Sequence, residues 1–135
     1  MSTPDAAGFA AACASAAFAV DGPDLMVSGV PARALAEEYG TPLYVYDAGA
    51  IRRAYRALAG ALEGFAKVVY SIKANPNPAI AAILVGEGAG VEVASAGEFR
   101  LALRAGADPA RILAAGPGKT RAELGEMVAG GIGEI

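Results

Sequence analysis

Histidine is missing from all 135 residues, and Cys13 is the single thiol. These two shortages exclude His-based catalytic triads, His-containing zinc sites and any disulfide within the chain. Acid–base chemistry therefore falls to Lys, Tyr and the carboxylates, and no metal site is expected. Cations are few as well: 11 Lys and Arg stand against 14 Asp and Glu, for a net charge of −3 and a pI near 4.9. They are interspersed with carboxylates from Arg33 to Arg121, so the basic stripe of a nucleic-acid-binding domain is lacking. No apolar run is long enough to cross a bilayer, so neither nucleic acid nor membrane is an expected partner. The Ala-rich stretch Ala6 to Val20 lacks the positive flank of a secretory signal, because Asp5 precedes it and no cation occurs before Arg33. A lone thiol suits a reducing cytosol, and a cytoplasmic location is expected.

Bulky core formers are scarce despite a 55% hydrophobic composition, since 34 residues are Ala and 18 more positions are Gly. What is present is organised by strand and helix signals. Residues 1–29 carry small residues and turn formers such as Asp21-Gly22-Pro23-Asp24 without a clear period, and read as an N-terminal extension or a partner strand for another element. A short helix is expected over Pro31 to Glu38, with Gly40 as its stop. Leu43-Tyr44-Val45-Tyr46 reads as a strand whose tyrosines alternate between core and rim. Asp47 is placed to cap a longer helix in which Ile51, Tyr55, Leu58 and Leu62 recur at helical spacing, ending at Gly64. Arg52, Arg53 and Arg56 form its solvated face.

From there a repeat sets in: strand Lys67 to Ala74, helix from Pro78, strand Val91 to Ser95, helix from Ala96, strand Arg111 to Ala115, helix from Arg121, and a fourth strand opening at Ile132. Asn77 before Pro78 caps one helix, and Ser95/Glu98 and Thr120/Glu123 have capping-box spacing. Alternating strands and helices imply parallel strands joined by right-handed crossovers. The fold class expected is α/β, the N-terminal part of a (β/α)8 TIM barrel, with residues 30–135 as a partial barrel domain. A full barrel takes about 250 residues, so the chain is expected to be part of a larger enzyme and inactive alone.

Two phosphate-binding patterns fail on spacing. Gly116-Pro-Gly-Lys-Thr120 lies between strand and helix, but a P-loop needs Gly at the position of Leu113. The dinucleotide pattern begun at Gly86, Gly88 or Gly116 puts Val91, Val93 or Arg121 where its third Gly belongs. Lys73 is more informative, because it sits at the end of a strand in Tyr70-Ser-Ile-Lys-Ala-Asn-Pro-Asn77, the edge that is catalytic in barrels. Without context such a lysine is a surface residue lying along apolar atoms.

The context is supplied by four segments. Tyr70–Asn77 resembles the lysine motif of the fold type III pyridoxal-phosphate (PLP) decarboxylases, the group with diaminopimelate, ornithine and arginine decarboxylases that shares its barrel with alanine racemase. Gly90-Val-Glu-Val-Ala-Ser-Ala-Gly-Glu98 resembles that family's second-strand motif, and Ala115-Gly-Pro-Gly-Lys119 the loop after its third strand. Gly40-Thr-Pro-Leu-Tyr-Val-Tyr-Asp47 is similar to the family's lead-in to the barrel. The resemblance covers nearly everything after Val27 and is nearest to the diaminopimelate decarboxylases.

It implies that Lys73 is the catalytic, cofactor-binding Schiff-base lysine, a role that requires a neutral amine and a partly desolvated barrel mouth. Ser71, two residues earlier, is expected on the same face, pointing into the barrel. Alternation between Val91 and Val93 puts Glu92 on the face opposite the valines, where it is either a cofactor-side acid or a solvated rim carboxylate. Relatives often have Asp there. Glu98 is read both as a capping-box member and as a residue near the cofactor. The activity implied is decarboxylation of an amino acid, meso-diaminopimelate on the route to lysine or a related, carrier-linked substrate, by a homodimer. Alternatives are an amino acid racemase, from whose usual Tyr-Gly-His run Ala74-Asn-Pro-Asn77 departs, and a non-catalytic homologue.

Overall fold

The computed structural model describes residues 19–135; Cys13 and the start of the N-terminal extension lie outside them. The chain divides into two compact units, residues 1–50 and 51–135. In the first, β1 (Ala19–Asp21), β2 (Asp24–Val27) and β3 (Val30–Pro31) form an antiparallel meander followed by α1 (Ala32–Tyr39). Asp21 pairs with Asp24 and Val27 with Val30, so both hairpins turn through two residues. Gly22 supplies the positive φ of the first, and Ser28 and Gly29 are both left-handed in the second, as tight hairpins demand. The turn formers of the extension are therefore hairpin corners. Alternation was invisible there because each strand is only two to four residues long.

Leu43–Tyr46 is not a strand. The segment has β-prone side chains but no ladder partner among the described residues, and its tyrosines do not alternate: Tyr44 is 86% exposed and Tyr46 is exposed as well. Asp47 caps α2 (Ala48–Ala61) as expected, its Oδ1 accepting from the Ala50 N–H at 3.0 Å.

The second unit is built on a parallel sheet of β4 (Val69–Ser71), β5 (Gly90–Val93) and β6 (Ile112–Ala114), in that spatial order. Helices α3 (Pro78–Gly86), α4 (Ala96–Arg104) and α5 (Arg121–Ala129) follow the three strands. Ser71 is in register with Glu92, Glu92 with Leu113, and Leu113 bridges in parallel to Glu134. Each partner lies 21 residues beyond the last, so the sequence repeat is a row of neighbours running straight across the sheet. The expected fourth strand is present as this single bridge, with Ala114 N–H donating to the Glu134 carbonyl at 2.9 Å.

The two faces of the sheet differ in chemistry. Val91, Val93, Ile112 and Ala114 are buried in a core completed by Phe99 and Met127 from the helices. The 71–92–113 row is only half-buried. Alternating apolar residues thus anchor the helices on one side, and the other side is free to carry polar groups.

Helix entry is controlled by the capping residues read from the sequence. Asn77 Oδ1 accepts from Ala79 N–H at 2.9 Å, Ser95 Oγ from Glu98 N–H at 3.2 Å, and Thr120 with Glu123 makes a complete capping box. Of the arginine face on α2, Arg56 remains largely in solvent and Arg52 is half-buried, and the two pair with Glu87 at 2.5 and 3.3 Å respectively. The Arg56 guanidinium, with Arg52 beside it, holds the Glu87 carboxyl below its ordinary range. Among the described residues no helix is long and apolar enough to cross a membrane.

Candidate active site

Lys73 stands past the C-terminal end of β4, in a 3-10 turn of Ile72–Ala74. The expected strand over Lys67 to Ala74 is shorter: the ladder with β5 ends at Ser71, and the fully buried Ile72 opens the 3-10 turn. Strict alternation with Ser71 therefore does not govern where the lysine points. The turn is fixed from both sides. Asn75 N–H donates to the Ile72 carbonyl at 3.1 Å, and the Tyr70 hydroxyl donates to the Asn75 carbonyl at 2.9 Å. The Asn75 side chain accepts from Asn77 N–H at 3.0 Å, passing the chain directly into the cap of α3. Tyr70 and the two asparagines thus form a frame for the lysine, a part of the motif whose role the sequence does not disclose.

The lysine Nζ lies 3.3 Å from Glu92 Oε1, with side-chain exposures of 67% and 22%. Glu92 occupies the sheet face opposite the buried valines, and that half of the sequence reading agrees with the fold. Next to it in the ladder is Ser71, whose Oγ is buried without a hydrogen-bond partner. The lysine itself is more exposed than the partly desolvated mouth expected for it, since these three strands and their loops enclose it on few sides.

Glu98 is placed at the first turn of α4, and its Oε2 accepts from the Ala94 N–H at 2.6 Å. A complete Ser95/Glu98 capping box would direct that carboxylate to the N–H of Ser95. It instead reaches one residue further back and holds the end of β5. The geometry joins Lys73 to Glu92, whereas Glu98 is occupied in shaping the adjoining loop. In the loop after β6, Lys119 Nζ donates to the carbonyls of Ala115 and Gly116 at 2.8 and 2.6 Å. That lysine is a brace for its own loop, in keeping with the failed P-loop spacing. A cavity of about 200 Å³ opens at the opposite, N-terminal edge of the strands, beside Lys67, Gly90, Arg111 and Glu134. It includes neither Lys73 nor Glu92.

A lysine and a carboxylate at the C-terminal edge of parallel strands, with an unsatisfied hydroxyl beside them, form a polar site on a rigid frame. A family model described as "Pyridoxal-dependent decarboxylase, pyridoxal binding domain" matches residues 48–135. The chain belongs to this family. It is 41% identical over 122 residues to a diaminopimelate decarboxylase of Zymomonas mobilis, an alignment covering 87% of this chain and 29% of that protein. It is 42% identical over 99 residues to an L-glutamyl-[BtrI acyl-carrier protein] decarboxylase of Niallia circulans, covering 73% and 23% respectively. A crystal structure from Aquifex aeolicus superposes with a TM-score of 0.81 at 37% identity, over 87% of this chain and 29% of that one. The chain therefore spans less than a third of the length of these relatives. Its α/β fold is the N-terminal part of a TIM-type barrel, and pyridoxal phosphate is the cofactor that the family implies.

The residues present fit such a group. A buried Ser71 Oγ with no partner is costly unless something polar is seated against it. Lys73 offers an accessible amine and Glu92 a half-buried acceptor beside it. Together they present an amine able to form an imine, a hydroxyl able to donate or accept, and a carboxylate able to accept.

Proposed function

We propose that the full-length protein is a PLP-dependent amino acid decarboxylase of the diaminopimelate type, with Lys73 as the residue that attaches the cofactor. The observation that carries this reading is the Lys73–Glu92 pair at 3.3 Å on the C-terminal strand edge. When bound, pyridoxal phosphate supplies an electron sink for the pair left on the substrate carbon as carbon dioxide departs. The chain's own residues do the rest. Lys73 Nζ would hold the cofactor and, as a free amine, would take up or give back a proton at that atom. Glu92 offers its carboxylate to that ammonium, and Ser71 offers its hydroxyl to the polar group covering it. Glu98, through its hold on Ala94, keeps the loop after β5 against the cofactor side. The barrel portion is taken to begin near residue 50, after the meander and α1 of the first unit. A homodimer in the cytoplasm, serving lysine biosynthesis, completes the proposal.

Borohydride reduction of the full-length protein followed by peptide mapping tests the anchor. A pyridoxyl group on Lys73 is expected, and Lys73→Ala should abolish both the adduct and nearly all turnover. An adduct on Lys67 or Lys119, with Lys73 unmodified, would overturn the assignment.

A carrier-linked substrate is the second reading, supported by the Niallia circulans relative, whose identity to this chain matches that of the diaminopimelate enzyme. Offering meso-diaminopimelate and a glutamyl-carrier protein side by side separates the two, with carbon dioxide release from the first expected. Stereoinversion without carbon dioxide release would instead identify a racemase.

A further inference from the structure

Glu123 serves two helices at once. Its Oε2 accepts from the N–H and from the hydroxyl of Thr120, both at 2.9 Å, closing the capping box of its own helix α5. Its Oε1 reaches 27 residues back along the chain and accepts from the N–H of Ala96 at 3.3 Å, the first residue of α4. The first N–H groups of any helix lack partners within it, so one carboxylate here satisfies orphan donors of two neighbouring helices. Hydrogen bonds from Thr120 and then Ala96 hold its carboxyl below the ordinary range, as expected for an acid that accepts at both oxygens.

The loops joined in this way are those that leave β5 and β6 at the strand edge where Lys73 stands. The first contains Ala94 and Ser95, held by Glu98. The second is braced by Lys119 and is tied to β5 by the Ala115 N–H, which donates to the Val93 carbonyl at 2.9 Å. Glu123 is the side chain that connects one loop to the other where the helices begin. A second contact, the ion pair of Arg100 with Glu126 at 2.6 Å, also links α4 and α5 but lies further along them and exposed to solvent. The two contacts therefore separate loop positioning from plain helix–helix attachment.

We propose that Glu123 is a positioning residue that locks the loops after β5 and β6 together and so fixes the cofactor-facing edge of the barrel. This rests on the reading of that edge given under Proposed function. Hydrogen exchange with mass spectrometry on the full-length protein stripped of cofactor reads the lock directly. Glu123→Gln should speed exchange about tenfold in peptides covering Ala94–Ala96 and Ala115–Thr120, in line with the loss of a hydrogen bond to a charged acceptor. Glu126→Gln should leave both peptides at their wild-type rates. On the reconstituted enzyme, Glu123→Gln should weaken PLP binding by about the same factor, and Glu126→Gln should not. Glu123→Asp, which keeps the charge but is shorter, should preserve the Thr120 cap and loosen only the Ala94–Ala96 peptide. That arm remains decisive if the Gln variant does not fold.

Unchanged exchange in both peptides for Glu123→Gln would overturn the lock, as would equal loosening by Glu126→Gln. Loosened loops with wild-type PLP affinity would overturn the link to the cofactor edge. A wild-type protein that binds no PLP, yet whose loops loosen on Glu123→Gln, would sink the proposed function while leaving the lock in place.

Discussion

Replacing Glu92 with Gln asks whether the Lys73 pair holds the fold together or serves the chemistry. The pair is separated by 3.3 Å, and Coulomb's law sets its limits: about 1.3 kcal/mol in bulk water, and about 5 kcal/mol at an effective dielectric near 20. Two observations select the lower limit. The lysine side chain is 67% exposed, and it must give up rotamer freedom to hold one contact. Exposed pairs of this kind contribute roughly 0.2–1 kcal/mol. Glu92→Gln keeps the size of the side chain and an acceptor oxygen, so the predicted loss of stability is below about 1 kcal/mol. Turnover should respond far more. At least a tenfold fall is expected, equivalent to about 1.4 kcal/mol in the barrier, because a charge next to the proposed cofactor anchor is removed. Denaturant melts of the full-length protein without PLP give the first quantity, and steady-state rates with PLP give the second. A stability loss above about 2 kcal/mol with near-normal turnover would refute the reasoning and make Glu92 a structural brace, since exposed pairs do not reach that value.

Gly133→Ala should cost about 1–3 kcal/mol in full-length stability, since a Cβ there would meet the backbone carbonyl of Ala110, which cannot swing aside. Thermal melts beside Gly125→Ala, whose Cβ would meet open space, would show whether the effect is local. Acid should weaken the fold through Glu87 and Glu123, both held below the ordinary carboxylate range. For depressed groups the stabilisation is complete above the unfolded-state value of about 4.3 and is lost as pH falls through the folded-state value. Melts between pH 6 and the acid limit, on wild type and on Glu87→Gln, should converge at low pH, and parallel curves would exclude a contribution from Glu87.

The sequence was most legible where local signals and tertiary packing agree. Asn77 before Pro78, Ser95 before Ala96 and Thr120 before Arg121 all cap helices, because a side-chain oxygen satisfying an orphan N–H needs nothing from outside its own turn. Alternation sets Glu92 on the face opposite Val91 and Val93, and the complete burial of the two valines in the helix-packed core decides which face that is. The errors came where a partner decides the outcome. Leu43–Tyr46 has strand composition, but composition does not supply a second strand to pair with. Glu98 has the spacing of a capping box, yet its carboxylate follows the backbone of β5 back to Ala94. The bond from Ala96 N–H to Glu123 spans 27 residues, and no pattern within either helix announces it.

Lys73 shows why a strand reading can find the right residue with the wrong local geometry. An ideal strand would send Ser71 and Lys73 to one face with Ile72 opposite, and the lysine would stand in the ladder among neighbours of fixed spacing. In the structure the ladder stops at Ser71, the 3-10 turn begins, and Ile72 still enters the core. The apolar residue thus keeps the position that alternation assigns to it, while the lysine is lifted past the last rung. From there its long stem reaches sideways to Glu92, which is in register with Ser71 and not with Lys73. The Ser71 Oγ is left beside that contact, buried and unpartnered. A lysine kept within the ladder would be held by its neighbours; one lifted beyond it on a flexible four-carbon stem can take up a ligand, release it and return. The rigid part of the site is therefore the apolar face that anchors Ile72, and the adaptable part is the side chain one residue later.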